Sequence, residues 1–166
     1  MEKNLKRKKE SVNEEKMDGA EINEVVKSLP DFGGIFDASK LDRLKVLDLP
    51  VMLIINIEDH WLGIRLEKNK LEIMDSLGEI KHFAKNKVLC RFICAHLLGK
   101  KLIVSPKLQS DNSQDCGKYV LSFLWFSALT GKSLTHFLKS FNSDYTENSK
   151  NITEIFETVR KIADSY

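Results

Sequence analysis

No segment of this sequence is apolar for long enough to cross a bilayer. The longest such run, Val51 to Ile57, is interrupted by Asn56 and falls far short of the ~20 residues a spanning helix needs. The chain opens on Met1-Glu2-Lys3-Asn4, polar from the start, so no secretory signal is expected. That points to an intracellular location, or to a virion or viral factory if the chain is packaged into a particle. Cysteine is scarce: Cys90, Cys94 and Cys116 are an odd set and a poor disulfide framework. Cys90 and Cys94 stand four apart in a helical pattern with only His96 nearby, too few ligands for a structural zinc site, and they read as small buried hydrophobes. A net charge of +2 is too weak to name a nucleic-acid partner. Internal repeats are absent, and nothing is of low complexity beyond the N-terminal tail.

With 42% hydrophobic and 30% charged residues in 166, the chain has the composition of one globular domain able to bury a real core. Charge is unevenly placed. Lys3, Lys6, Arg7, Lys8 and Lys9 crowd the first ten residues and Glu10, Glu14 and Glu15 follow, which reads as a solvated tail over residues 1–18 ahead of a domain at 19–166. A weak DNA contact through those N-terminal Lys and Arg residues is left open.

Apolar spacing predicts a helix over Ala20–Leu29 that stops before Pro30. Asp31 to Phe36 reads as a turn feeding a short extended piece, and Asp42 to Leu49 as connecting structure. Val51–Ile57 is a strand buried on both faces, Trp61–Leu66 a second, and Leu71–Asp75 a third, so close together that an antiparallel meander follows. A long helix is expected over Glu79–Leu98, with Ile80, Phe83, Ala84, Val88, Phe92 and Ala95 on one stripe and Gly99 as its stop. Leu102–Val104 is a further strand. Tyr119 to Leu129 is almost wholly apolar, as a helix in the middle of a core would be, and Ile152, Ile155, Phe156, Val159, Ile162 and Ala163 mark an amphipathic C-terminal helix. The fold class is α+β: a small, mainly antiparallel sheet packed against a buried central helix and flanking helices.

The chemistry centres on Cys116. It falls where the polar loop Gln109–Asp115 becomes the first turn of the buried helix, and the positive end of the helix dipole favours a thiolate there. Gly117 beside it would let a substrate backbone approach. In the loop, Gln109 and Asn112 both carry amides suited to an oxyanion hole. His60, at the junction of two strands, is placed to face a cleft, with Trp61 after it as cover for the ring or as ordinary core. Asp75, at the end of the third strand, falls beside the start of the second in a meander and would orient His60; Glu58 and Asp59 are rival carboxylates. His82, His96 and His136 are weaker candidates. Spacing alone leaves the Cys–His pairing open.

His60-Trp61, then Asp75-Ser76, then Gln109-Ser110-Asp111-Asn112-Ser113-Gln114-Asp115-Cys116-Gly117 resembles the adenain-like and ubiquitin-like-protein-specific cysteine protease clan. Phe32-Gly33-Gly34-Ile35-Phe36 resembles an N-terminal motif of adenain and of proteases from virophages and Maverick-type elements, and the resemblance runs from about Ile22 to Leu129. It implies a cysteine endopeptidase of the papain-related adenain-like fold, with His60, Asp75 and Cys116 catalytic, Gln109 in the oxyanion hole, and Trp61 and Gly117 lining the substrate cleft. It further implies Gly-containing cleavage sites in a protein substrate, a capsid precursor for a viral maturation protease or, alternatively, a ubiquitin-like modifier for a deconjugating one. Clan members act as monomers. No metal or organic cofactor is called for; DNA or a viral peptide is left open as an activator, although neither Cys90 nor Cys94 falls where such a peptide attaches in adenain.

Overall fold

The computed structural model describes residues 16–44, 47–78 and 85–166. The basic run of the tail, His82 and the first part of the helix expected at Glu79 lie outside the described residues.

Helix α1 (Gly19–Val26) starts where Asp18 accepts from the amides of Ala20 and Glu21, while the Glu21 carboxylate accepts from the Asp18 amide. That reciprocal cap satisfies orphan donors of the first turn and sets the helix direction. Strand β1 (Phe32–Asp37) follows, then a 3-10 turn over Ala38–Arg43, and then β2 (Val51–Ile57), β3 (His60–Leu66) and β4 (Lys70–Met74). Helix α2 (Lys87–Leu97) leads to β5 (Lys101–Val104), and the loop after it enters α3 (Cys116–Thr130). A short α4 (Leu134–Phe137) and the long α5 (Tyr145–Ala163) complete the described chain.

The five strands form one sheet in the order β1-β2-β3-β4-β5. Its centre is the expected antiparallel meander, with Ile54 opposite Gly63 and Gly63 opposite Met74. The outer ladders, β1 with β2 and β4 with β5, are parallel, so the sheet is mixed. The reason is topological: crossover segments, not hairpins, join those pairs, and a crossover returns the chain in the same direction. The piece at Phe32–Asp37, read as a short extension of a turn, is thus a full edge strand.

Two cores lie on the sheet's two faces. One packs Met52, Ile54, Trp61 and Met74 against α1, α3 and α5; the other packs Leu53, Ile55, Leu62, Ile64 and Ile73 against α2 and the 3-10 turn. This is why β2 is apolar on both faces from Val51 to Ile55. Helix α3 is enclosed by the sheet, α1 and α5, with Tyr119, Phe123 and Trp125 fully buried. Trp125 Nε1 donates to the Val25 carbonyl at 2.9 Å, so its polar edge is satisfied inside the core. Gly63 lets the helix ride close to the sheet: a Cβ there would lie 3.1 Å from Val120 Cγ1.

Helix α2 departs from the expected stripe. Asn86 accepts from the Leu89 amide and caps its start, and the buried residues are Leu89, Phe92 and Ile93, whereas Ala95 is exposed. With that face turned to the sheet, Cys94 is exposed and Cys90 half-buried, not the two buried hydrophobes expected. Among the described residues no cluster of three or more His, Cys, Asp or Glu side chains could hold a metal, and no helix is long and apolar enough to cross a membrane.

Candidate active site

The two-residue turn Glu58-Asp59, with Glu58 at φ 54°, reverses β2 into β3 and makes His60 the first residue of its strand. The ladder that places Gly63 opposite Met74 runs on toward the next residue of the chain, Asp75. His60 Nε2 and Asp75 Oδ1 meet at 2.7 Å, with both side chains buried. The rival carboxylate Asp59 points into solvent, 3.9 Å from Lys16 Nζ. With Nε2 engaged by Asp75, the other ring nitrogen is left for Cys116, whose thiol hydrogen-bonds the imidazole.

Cys116 is the first residue of α3, where helix geometry leaves its amide without an intrahelical partner. Its charge state follows from its neighbours. Burial pushes the thiol up, but the hydrogen bond from His60, the Trp61 backbone N–H, the positive imidazolium and the charge of Lys16 together bring it below the ordinary thiol range. Burial likewise pushes His60 down, and the Asp75 carboxylate and Cys116 sulfur outweigh it, raising the imidazole to about 9. Both shifts run in the direction that favours an imidazolium beside a thiolate over the neutral pair.

Gln109 is buried in the loop before α3. Ser76 Oγ donates to its Oε1 at 2.8 Å, and its Nε2 donates to the Ser113 carbonyl at 3.2 Å. An amide nitrogen carries two hydrogens, so one remains for a ligand. The loop is fixed on both flanks. The amides of Leu108 and Gln109 donate to the Ser76 carbonyl, and the Leu108 carbonyl accepts from Tyr119 Oη at 3.2 Å and Asn148 Nδ2 at 3.0 Å. Asn112, the other amide candidate, is exposed on the same loop.

A cavity of about 420 Å³ opens at Cys116, lined by Lys16, Asp59, His60, Leu77, Gln109, Asp111, Ser113 and Gln114. Trp61 and Gly117, expected to line the cleft, are not among the residues lining this cavity; both are covered by the N-terminal segment. Trp61 Nε1 donates to the Met17 carbonyl at 3.1 Å, and a Cβ on Gly117 would lie 3.1 Å from Met17 Sδ. Residues 16–18, read from the sequence as part of the tail, therefore pack against the domain. His96 bonds to the Phe92 carbonyl within α2 and His136 contacts Ser133; neither lines this cavity.

Several residues that the sequence reading passed over brace the site. Ser105 Oγ accepts from the Asp75 amide and donates to the Asp75 carbonyl, both at 2.7 Å. Gly78, at φ 61°, closes the turn after Asp75 where a Cβ would strike the Lys107 backbone at 2.3 Å. Asp115, directly before Cys116, accepts from Ser113 and Ser149 and pairs with Lys118, and although burial pushes its carboxyl up these contacts hold it below the ordinary range. One sequence signal was available: Asn148 lies on the apolar stripe of α5, four residues before Ile152, where an amide has to find partners.

Comparison with known proteins adds the family. Residues 40–160 match the Ulp1 protease family, C-terminal catalytic domain. No curated protein matches the chain. Among solved structures, the central domain of Lpg1148 from Legionella pneumophila is 16% identical with a TM-score of 0.52, over 90% of this chain and 99% of that one. ChlaDub1 from Chlamydia trachomatis (17% identical, TM-score 0.43) aligns over 63% of this chain and 48% of its own. The SUMO protease Ulp1 (17% identical, TM-score 0.43) aligns over 86% and 74%. The likeness to the Lpg1148 domain speaks for the fold alone, and the family match that spans most of the chain decides the rest: the chain belongs to the Ulp1 protease family and is a cysteine-type peptidase.

Proposed function

We propose that the chain cleaves peptide or isopeptide bonds with Cys116 as nucleophile, His60 as proton carrier, Asp75 as the carboxylate that orients it, and Gln109 with the Cys116 amide as the oxyanion hole. The observation that carries this reading is the buried His60–Asp75 contact at 2.7 Å at one cavity with Cys116 and Gln109. Cys116 Sγ attacks the substrate carbonyl carbon, and the negative charge that develops on oxygen meets the free Gln109 hydrogen and the helix-start amide. The imidazolium gives its proton to the departing nitrogen as the C–N bond breaks, leaving a thioester on Cys116. Neutral His60 then takes a proton from water, whose oxygen attacks the thioester and releases the acid, and the thiolate–imidazolium pair is restored. Every step uses the chain's own side chains.

For substrate, the reading best supported is a ubiquitin-like modifier with a glycine-ended C-terminus. What supports it is the match to the Ulp1 protease family, together with the likeness of the Asp75-Ser76 pair to the ubiquitin-like-protein proteases. A capsid precursor cut at Gly-containing sites, as by a viral maturation protease, uses the same machinery. Its motif, Phe32-Gly33-Gly34-Ile35-Phe36, has a packing role in this fold: a Cβ at Gly33 would meet Val51 and Leu53 at 2.6 and 2.8 Å. The enzyme is proposed to act as a monomer, and activation by DNA or a viral peptide is tested by adding each to the assay.

Modifiers carrying an electrophile after Gly-Gly should form an adduct with the wild type and none with Cys116→Ala. Absence of any modifier adduct, together with a discrete Cys116-dependent cut in a co-expressed capsid precursor, would replace the deconjugating reading by the maturation one. Iodoacetamide reacting with Cys116 no faster than with Cys90 or Cys94 at neutral pH would overturn the catalytic assignment.

A further inference from the structure

The Asp75-Ser76 dipeptide sits at a crossing of two networks. Asp75 faces the imidazole, while the next side chain reaches across to the loop before α3. Ser76 is fully buried, and Gln109 nearly so. A glutamine amide has two orientations related by a half-turn, and only one of them aims hydrogens at the cleft. Here the Ser76 hydroxyl donates to Oε1 at 2.8 Å and the Ser113 carbonyl accepts from Nε2 at 3.2 Å. The Ser113 carbonyl can only accept, so it fixes which end is nitrogen. The Ser76 hydroxyl occupies the opposite end and, by donating to the carbonyl oxygen, draws electron density from the amide and strengthens Nε2–H as a donor. The Ser76 carbonyl meanwhile takes the amides of Leu108 at 2.8 Å and Gln109 at 3.2 Å, so the same residue holds the backbone that carries the amide.

From this geometry we infer that Ser76 is a positioning residue of the oxyanion hole, its hydroxyl orienting and polarising the Gln109 amide. The inference rests on the catalytic reading above. It requires that the hydroxyl affect only steps in which an oxyanion forms, because its bond runs to the Gln109 amide.

Removing an oxyanion donor outright slows turnover by about 10²–10³, so Ser76→Ala, which leaves the donor present but loosely held, is expected to lower kcat about tenfold with KM little changed. Two readouts separate positioning from a general structural role. First, Ser76→Ala in the Gln109→Ala background should cost almost nothing more, since the two residues act as a unit. Second, a peptide aldehyde ending in glycinal, which forms a tetrahedral oxyanion on Cys116, should bind about tenfold more weakly to Ser76→Ala, whereas the pH profile of iodoacetamide alkylation, which forms no oxyanion, should not move. Full additivity of the two substitutions, or an equal loss in alkylation rate, would overturn the inference. If Gln109→Ala itself leaves kcat unchanged, the oxyanion assignment to Gln109 is the statement that fails.

Discussion

Strand β3 carries a buried ion pair toward each end, and the two have opposite fates. At its start His60 meets Asp75 at 2.7 Å; five residues on, Arg65 meets Glu72 at 3.1 Å. All four side chains are buried. Around Arg65 and Glu72, the further bonds run to other parts of the protein. Arg65 also pairs with Glu67 and donates to the Lys132 carbonyl at 3.1 Å, and Glu72 accepts from the Leu134 amide at 2.9 Å, so the network ties the end of α3 and the start of α4 to the sheet. Around His60 and Asp75, one side opens on a cavity and a sulfur. A buried pair is thus no sign of chemistry by itself. Under the mechanism proposed above, the cysteine and the cavity beside it make the difference.

This contrast can be broken experimentally, and the largest effect is expected at the open end. Asp75→Asn keeps the shape but removes the charge that holds imidazolium, and should lower kcat by about 10⁴, read with a Gly-Gly amide substrate, with the fold intact by circular dichroism. At the closed end, Glu72→Ala takes a carboxylate from the buried Arg65 guanidinium, leaving it Glu67 and the Lys132 carbonyl, and strips the Leu134 amide of its acceptor. A loss of about 3 kcal/mol in urea unfolding is expected, with kcat per folded molecule unchanged within about twofold. Should Glu72→Ala instead silence the enzyme without loosening it, the two ends would be functionally coupled and the comparison would fall.

Titration distinguishes them further. Activity should rise as Cys116 ionises, below the ordinary thiol range, and fall as His60 loses its proton near pH 9. The same shift is a stability statement: folded His60 keeps its proton to about 9 against 6.5 for the free group, so its contribution is complete below pH 6.5 and is lost as pH rises through 9. A pH–rate profile and urea midpoints across that window check both, and the basic limb should move lower in Asp75→Asn. The smallest effect is expected away from either pair. Asn148→Ala removes one of two donors to the Leu108 carbonyl and the donor to the Asn142 carbonyl, for a loss of about 1–2 kcal/mol in stability and a modest drop in kcat through the Gln109 loop.

Much of this molecule was readable from the residue order. The strands at Val51–Ile57, Trp61–Leu66 and Leu71–Asp75 announce themselves because a period of two and aliphatic runs are properties of neighbours in sequence. The apolar run after Cys116 could only be an enclosed helix. Less was readable where the partner is remote. The stripe of α2 was assigned to the wrong residues at Ala95 because several faces of that helix carry apolar side chains, and only its packing selects one. Ser76, Ser105 and Asn148 are small polar residues whose importance lies in the atom they reach, 33, 30 and 40 positions away.

What the sequence determined by itself, then, is local: which segments pair, where the central helix begins, and that a cysteine stands at its positive end. Only the tertiary structure decided which histidine meets that cysteine and which carboxylate meets the histidine, which amide of the loop lines the cavity, and that Met17 covers Trp61 and Gly117. Hydrogen bonds and charge interactions act over a few ångströms, and distances of that kind between remote residues are set by the way the sheet and helices pack, not by any spacing along the chain.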